Sequence, residues 1–166
     1  LFLLCSQTPF TVLCADDDFI TPEGMLAALA FLKENDDYAS AQGRQVSFVH
    51  DEQVDFGLIY FHSIGYDLND ETAAKRYLAL MRHYVQQYYA VHRTGTLQRA
   101  FHAIPGFENK NFGELVVCSF AAFRGKHRVL PIFYGAREQP RGGLPVQSIT
   151  KILDDPAYRA EVQSYS

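Results

Sequence analysis

An apolar run that ends in three aspartates and leads directly into a helix start constrains the fold of this chain more than any other feature. The run spans residues 10–15, and the aspartates occupy positions 16–18. Residues 21–23, Thr-Pro-Glu, are typical of a helix start, with a threonine N-cap, proline at the first helical position and an acid in the first turn. The segment therefore predicts a buried strand, an acidic turn and a helix that ends near Asn35.

Strands and helices alternate along the rest of the chain. Strands are predicted at Gln45–His50, at Tyr88–Arg93 and within residues 127–138. Helices are predicted within residues 69–87, at Gly95–Ala103, within residues 111–126, and after a Ser148 cap. Because no repeat or clear linker interrupts this alternation, we expect one α/β domain over residues 1–166.

Composition excludes several classes of protein. The chain has 166 residues, of which 48% are hydrophobic, and a net charge of -4, which argues against non-specific nucleic-acid binding. No apolar run has the roughly 20 residues of a transmembrane helix. Cys5, Cys14 and Cys118 form no CxxC motif, so we expect reduced thiols and a cytoplasmic protein. The first residues lack a methionine and begin within an apolar pattern, so we expect a truncated N-terminus.

The aspartates have two interpretations on spacing alone. In an extended or turning segment side chains alternate, so we expect Asp16 and Asp18 to point one way and Asp17 the other. Two carboxylates at the end of a buried strand suit Mg²⁺ or Mn²⁺ together with substrate phosphates. The other interpretation is a solvated acidic turn that favours the start of the next helix. A lone D-x-D motif does not decide between them.

Several segments resemble glycosyltransferase family 2. The stretch VLCADDDFITPEGMLAALAFLKENDDYASAQGR is similar to the metal-binding segment of that family. Three later stretches resemble its acceptor-side half, especially in a bacterial subgroup: YYAVHRTGTLQRAF, FGELVVCSFAAFRGK and LPIFYGARE. The resemblance implies a GT-A-like fold, a Rossmann-like mixed sheet flanked by helices. It also implies that this chain holds the D-x-D strand and the acceptor-binding half, without the nucleotide-binding half.

On the donor side, the resemblance implies a metal-assisted site. Asp18 would be the nearest ligand of Mg²⁺ or Mn²⁺, with Asp16 nearer the ribose or a metal-bound water. Asp17, Arg93 and Arg137 would contact the donor, since arginine suits phosphate oxygens. The alternatives are a polar strand end for Arg93 and a surface ion pair with its neighbouring glutamate for Arg137.

On the acceptor side, the resemblance implies that Glu114 is the base that deprotonates the attacking hydroxyl. The family usually has an aspartate after this glutamate, and this chain does not. The alternative is a capping box, since Asn111 stands three residues before Glu114. Tyr89 and His92 are predicted acceptor contacts, and for His92 a polar strand end is the alternative. Tyr88 and Tyr134 are further candidates.

The implied activity is transfer of a sugar from a nucleotide-sugar donor to a saccharide or other hydroxyl acceptor, with inversion at the reacting carbon. One alternative is a metal-dependent phosphotransferase or pyrophosphatase that uses the same aspartates. Another is a non-catalytic carbohydrate-binding or scaffold module. We also expect self-association, because a partial domain exposes apolar surface that the missing half would cover.

Overall fold

The computed structural model describes residues 6–48, 60–61, 66–83, 86–103 and 110–138, and these form a mixed α/β arrangement. The strands in this part of the chain are β1 (Phe10–Val12), β2 (Phe19–Ile20), β3 (Tyr38–Phe48), β4 (Tyr60–Phe61), β5 (Val91–Arg93) and β6 (Lys126–Glu138). The helices are α1 (Pro22–Glu34), α2 (Ala73–His83), α3 (Thr94–Ala103) and α4 (Lys110–Arg124). The predicted α/β class is confirmed.

The strands form one sheet in the order β1-β5-β3-β6-β2, with β4 paired to β3. Among the described strands, β3 and β6 pair in parallel and the other neighbours pair antiparallel. The central strand β3 is longer than the sequence predicts, because β6 pairs along its length while β5 and β4 pair with its two ends. Each added partner supplies backbone hydrogen bonds that local sequence does not encode.

Helix α1 begins where the sequence predicts. The Thr21 hydroxyl accepts a hydrogen bond from the Gly24 amide at 3.2 Å, and Pro22 occupies the first turn. The Thr21 amide also donates to the carbonyl oxygen of Tyr134 at 2.8 Å, which ties the helix start to β6. A Cβ at position 24 would lie 2.7 Å from the Phe133 carbonyl oxygen, so glycine permits this close contact.

Helix α1 and helices α2–α4 pack on opposite faces of the sheet. Ala28 and Leu32 of α1 are buried against Ala41 of β3. The next residue on the strand, Ser40, points to the other face, since side chains alternate along a strand. There Gln87 bonds both the Ser40 hydroxyl and the carbonyl of Cys118 on α4, and α4 packs against α2 and α3.

The other predicted elements are found with shifted ends. The strand predicted at Tyr88–Arg93 is shorter as β5, while α3 and α4 lie close to their predicted positions. The helix predicted after Ser148 lies outside the described residues. Within the described part of the chain, no helix is both long and apolar enough to cross a membrane.

Candidate functional site

The acidic triplet does not have the alternation expected from an extended segment. Asp16 and Asp17 form a turn and are exposed, whereas the Asp18 side chain is 6% exposed. The turn is closed by a 3.3 Å bond from the Asp18 amide to the Ala15 carbonyl. The predicted facing pair of Asp16 and Asp18 is therefore wrong, because Asp16 is exposed in the turn while the Asp18 side chain is buried. Only Asp18 points into the fold.

Strand β6 holds the Asp18 carboxylate on both oxygens. The Nε of Arg137 donates to Oδ2 at 3.1 Å, and the backbone amide of Glu138 donates to Oδ1 at 3.1 Å. This contact follows from the antiparallel pairing of β2 with β6, in which Ile20 lies opposite Gly135. A Cβ at position 135 would collide with the carbonyl of the residue after Asp18, so glycine permits the approach. The charge of Asp18 is offset by a guanidinium and a backbone amide.

Arg137 also stacks on Tyr89. The guanidinium carbon lies 4.4 Å from the centre of the Tyr89 ring, a cation–π contact, and the Arg137 side chain is 17% exposed. The Tyr134 hydroxyl donates to the Tyr89 carbonyl at 2.8 Å and positions its backbone. The rings of Tyr88 and Tyr89 meet edge to face at 5.1 Å. Tyr89 thus lies at the end of the sheet where β6 terminates.

Glu114, on the N-terminal half of α4, belongs to the same neighbourhood. Burial raises the pKa of Tyr89 to about 12, with the negative charge of Glu114 as the next cause and Asp18 adding to it, while Arg137 opposes them. Burial and the charge of Glu114 also raise the pKa of Tyr88. Both phenols are therefore protonated at neutral pH. The side chain of Asn111 lies outside the described residues, and the capping-box alternative for Glu114 stays a prediction.

Three predicted site residues from separate segments are joined by contacts of Arg137 with Asp18 and Tyr89, and Glu114 is near enough for its charge to raise the pKa of Tyr89. We call Asp18, Tyr89, Glu114 and Arg137 the β6-end cluster. No protein-family model matches the chain, and no curated protein matches it. The functional argument therefore rests on this cluster and on the chemistry of its side chains.

The structure does not bring His92 or Arg93 into the cluster. His92 is fully buried, and its Nε2 donates to the Gln87 carbonyl at 2.7 Å. Burial lowers the pKa of His92 to about 4, so the ring is neutral. Arg93 donates to the carbonyls of Leu32 and Tyr38 at 2.8 and 2.9 Å. His92 and Arg93 thus bond to backbone carbonyls within the fold, and their predicted contacts with the acceptor and the donor stay predictions.

The structure contains a second polar cluster, which the sequence did not predict. His92, Ser40 and His127 lie side by side on β5, β3 and β6, and we call them the histidine row. All three are completely buried, and His127 Nδ1 lies 2.8 Å from the Ser40 hydroxyl. Burial, with the nearby His92, lowers the pKa of His127 to about 3. The only sequence signal is the alternation of Ser40 and Gln42 with alanine and glycine on β3, which does not reveal their partners.

Cys14, one of the three thiols predicted to be reduced, is exposed beside the triplet. Its Sγ donates to the Asp18 carbonyl at 3.5 Å. Burial and the charges of Asp18 and Asp17 raise the pKa of Cys14, so the thiol stays protonated and is not an activated nucleophile.

The arrangement of these carboxylates does not fit the predicted pair of metal ligands. Asp18 already accepts two hydrogen bonds, and the guanidinium of Arg137 beside it repels a cation. In the described segments, no three His, Cys, Asp or Glu side chains are grouped to hold a metal ion. Binding of Mg²⁺ or Mn²⁺ stays a prediction, and no chemical step below depends on it.

Proposed function

We propose that this chain is a glycosyltransferase with a GT-A-like α/β domain, which moves a sugar from a nucleotide-diphosphate donor to an acceptor hydroxyl. The observation that supports the proposal is the β6-end cluster. Its members Asp18, Arg137, Tyr89 and Glu114 come from four segments of the chain. The resemblance to glycosyltransferase family 2 implies active-site roles for Asp18, Arg137 and Glu114, and Tyr89 is a predicted acceptor contact.

In the proposed reaction, the carboxylate of Glu114 accepts the proton of the acceptor hydroxyl. The hydroxyl oxygen then bonds to the anomeric carbon of the sugar. The bond between that carbon and the diphosphate oxygen breaks, and its electron pair leaves with the diphosphate. Attack from the face opposite the leaving group inverts the anomeric centre.

The other members of the cluster supply charge and a binding surface. The guanidinium of Arg137 favours the negative charge that develops on the departing diphosphate. Tyr89 is protonated at neutral pH, so its hydroxyl can donate a hydrogen bond but does not compete with Glu114 for the proton. The edge-to-face rings of Tyr88 and Tyr89 offer an aromatic surface for the acceptor sugar.

The proposal is tested by incubating the chain with a panel of nucleotide-sugars and hydroxyl acceptors, with and without Mn²⁺. We expect release of a nucleoside diphosphate together with transfer of the sugar. Glu114→Gln removes the base with little change of shape, and we expect turnover to fall by about 10²-fold or more while donor binding is kept. Glu34→Gln, which changes an exposed acid at the end of α1, is the matched control and should not alter turnover.

The same assay separates the other functions. Release of inorganic phosphate without sugar transfer would contradict the proposal and favour a phosphotransferase or pyrophosphatase. Saccharide binding without turnover of any donor would favour a non-catalytic module. Equal loss of turnover and donor binding in Glu114→Gln would contradict the role of Glu114 as the base.

A further inference from the structure

The charge of Asp18 is already satisfied within the protein. Its side chain is 6% exposed, and the donors to its two carboxylate oxygens both come from the end of β6, at 3.1 Å each. A hard divalent cation needs an oxygen lone pair with open access. It would also have to approach within a few ångströms of a fixed guanidinium, and like charges repel. Asp18 is thus arranged to hold Arg137.

The geometry around Arg137 shows what this contact does. The bond to Asp18 uses Nε, and the face of the guanidinium lies on the Tyr89 ring at 4.4 Å. One edge and one face of the planar group are therefore held by protein. The terminal nitrogens Nη1 and Nη2 take no part in the bond to Asp18, and their fork suits a phosphate group. A guanidinium held at two places binds an anion with less loss of conformational entropy than a free one.

We propose that Asp18 is a positioning residue that acts through Arg137, and that it is not a ligand of a divalent cation. It orients the guanidinium on Tyr89 so that the terminal nitrogens meet a phosphate group. The role of that phosphate as part of a sugar donor rests on the proposed function. The proposed orientation of Arg137 by Asp18 does not depend on that function.

Asp18→Asn tests this assignment atom by atom. Asparagine keeps an oxygen that can accept from the Glu138 amide, but its amide nitrogen cannot accept from Arg137 Nε. Glu34→Gln also removes one negative charge, from an exposed side chain at the end of α1, and is the matched control. Arg137→Lys keeps the positive charge and removes the Nε donor and the planar stack.

Three measurements on the full chain distinguish the roles of Asp18. Electron paramagnetic resonance measures Mn²⁺ affinity, ¹H–¹⁵N spectra follow the arginine Nε–H signal that disappears in Arg137→Lys, and calorimetry measures binding of inorganic pyrophosphate. In Asp18→Asn we expect Mn²⁺ affinity to stay within about twofold of the parent and the Arg137 signal to exchange faster with water. We also expect pyrophosphate affinity to fall about tenfold in Asp18→Asn and Arg137→Lys, and to stay unchanged in Glu34→Gln.

A tenfold or greater loss of Mn²⁺ affinity in Asp18→Asn, with an unchanged Arg137 signal, would overturn the proposal. So would unchanged pyrophosphate affinity in both Asp18→Asn and Arg137→Lys. Thermal unfolding of each variant shows whether an effect is local, and Arg137→Lys keeps the test valid if Asp18→Asn unfolds. If no nucleotide-sugar is turned over, the proposed function fails, but the spectra and pyrophosphate binding still decide the role of Asp18.

Discussion

The β6-end cluster and the histidine row are two polar clusters at one sheet, and they differ in whether their side chains are charged. In the cluster, Asp18 and Arg137 form an ion pair at the end of β6. In the row, His92 and His127 are completely buried and neutral. Asp18 is nearly as buried as the histidines, so the difference shows that a buried group keeps its charge where an opposite charge and a backbone donor offset the cost of burial.

The hydrogen bonds of the histidine row also assign its protons. The Ser40 hydroxyl donates to Gln87 Oε1 at 3.1 Å, so His127 Nδ1 is the donor to Ser40. His92 Nε2 donates to a carbonyl and must carry a proton. The other ring nitrogens, His92 Nδ1 and His127 Nε2, are then bare acceptors, and they have no partner among the described residues. Both histidine bonds use ring N–H donors that a protonated ring would also have, so burial and not these bonds keeps the two rings neutral.

The largest expected effect is acid destabilisation through the row. The unfolded pKa of histidine is near 6.5, while the folded values are about 4 for His92 and about 3 for His127. Their stabilisation is complete above about pH 6.5 and is lost as pH falls towards 4, because only the unfolded chain takes up the protons. We expect a loss of about 1.4 kcal/mol per pH unit for each histidine, measured by urea unfolding between pH 7 and 4.

The exposed His83 provides the control for this pH dependence. His83→Gln should leave the slope of stability against pH unchanged. A flat profile from pH 7 to 4 in the parent chain would show that the row is accessible to protons, and the contrast with the β6-end cluster would then fail.

Removal of the amide at the centre of the row should have the next largest effect. Gln87 joins Ser40 to the carbonyl of Cys118 and is completely buried. Gln87→Ala removes the hydrogen bonds of its side chain to both groups and opens a cavity, and we expect the free energy of unfolding to fall by about 3 kcal/mol. The neighbouring Gln86→Ala, on a half-buried side chain, should change it by less than about 1 kcal/mol. Similar losses in both variants would contradict the importance of the buried amide.

Breaking the cluster should affect stability less than breaking the row. Asp18→Ala leaves the Glu138 amide and the Arg137 Nε without their shared acceptor. We expect a loss of about 2 kcal/mol, because Arg137 keeps its partial exposure and its contact with Tyr89. Denaturant unfolding at pH 7 measures it, and a loss larger than that of Gln87→Ala would reverse the order of the two clusters.

The smallest effect is expected in the exposed turn of the triplet. Asp16→Asn should change the free energy of unfolding by less than about 0.5 kcal/mol, because the Asp16 side chain is exposed. Thermal unfolding of this variant beside Asp18→Ala separates the two kinds of aspartate. A loss comparable to that of Asp18→Ala would mean that the turn, and not the contact with β6, accounts for the stability of this segment.

Sequence patterns were most accurate where the deciding interactions are local. The start of α1 depends on Thr21, Pro22 and Gly24, which lie within one turn of each other. Helix α4 also ends within its predicted range, at Arg124 directly before Gly125. Patterns were less accurate for the extent of β3, whose pairing with β6 joins residues that lie far apart along the chain.

By itself, the sequence determined that a strand, three carboxylates and a helix follow one another, because caps and apolar runs act over a few residues. Only the tertiary structure decided which carboxylate is buried and what neutralises it. Asp18 and Arg137 are 119 residues apart, and they meet through the pairing of β2 with β6. Backbone hydrogen bonds between strands form with almost any residue, so that pairing leaves little trace in local sequence. Tyr89, in the turn before β5, meets Arg137 through a contact that also joins residues distant along the sequence.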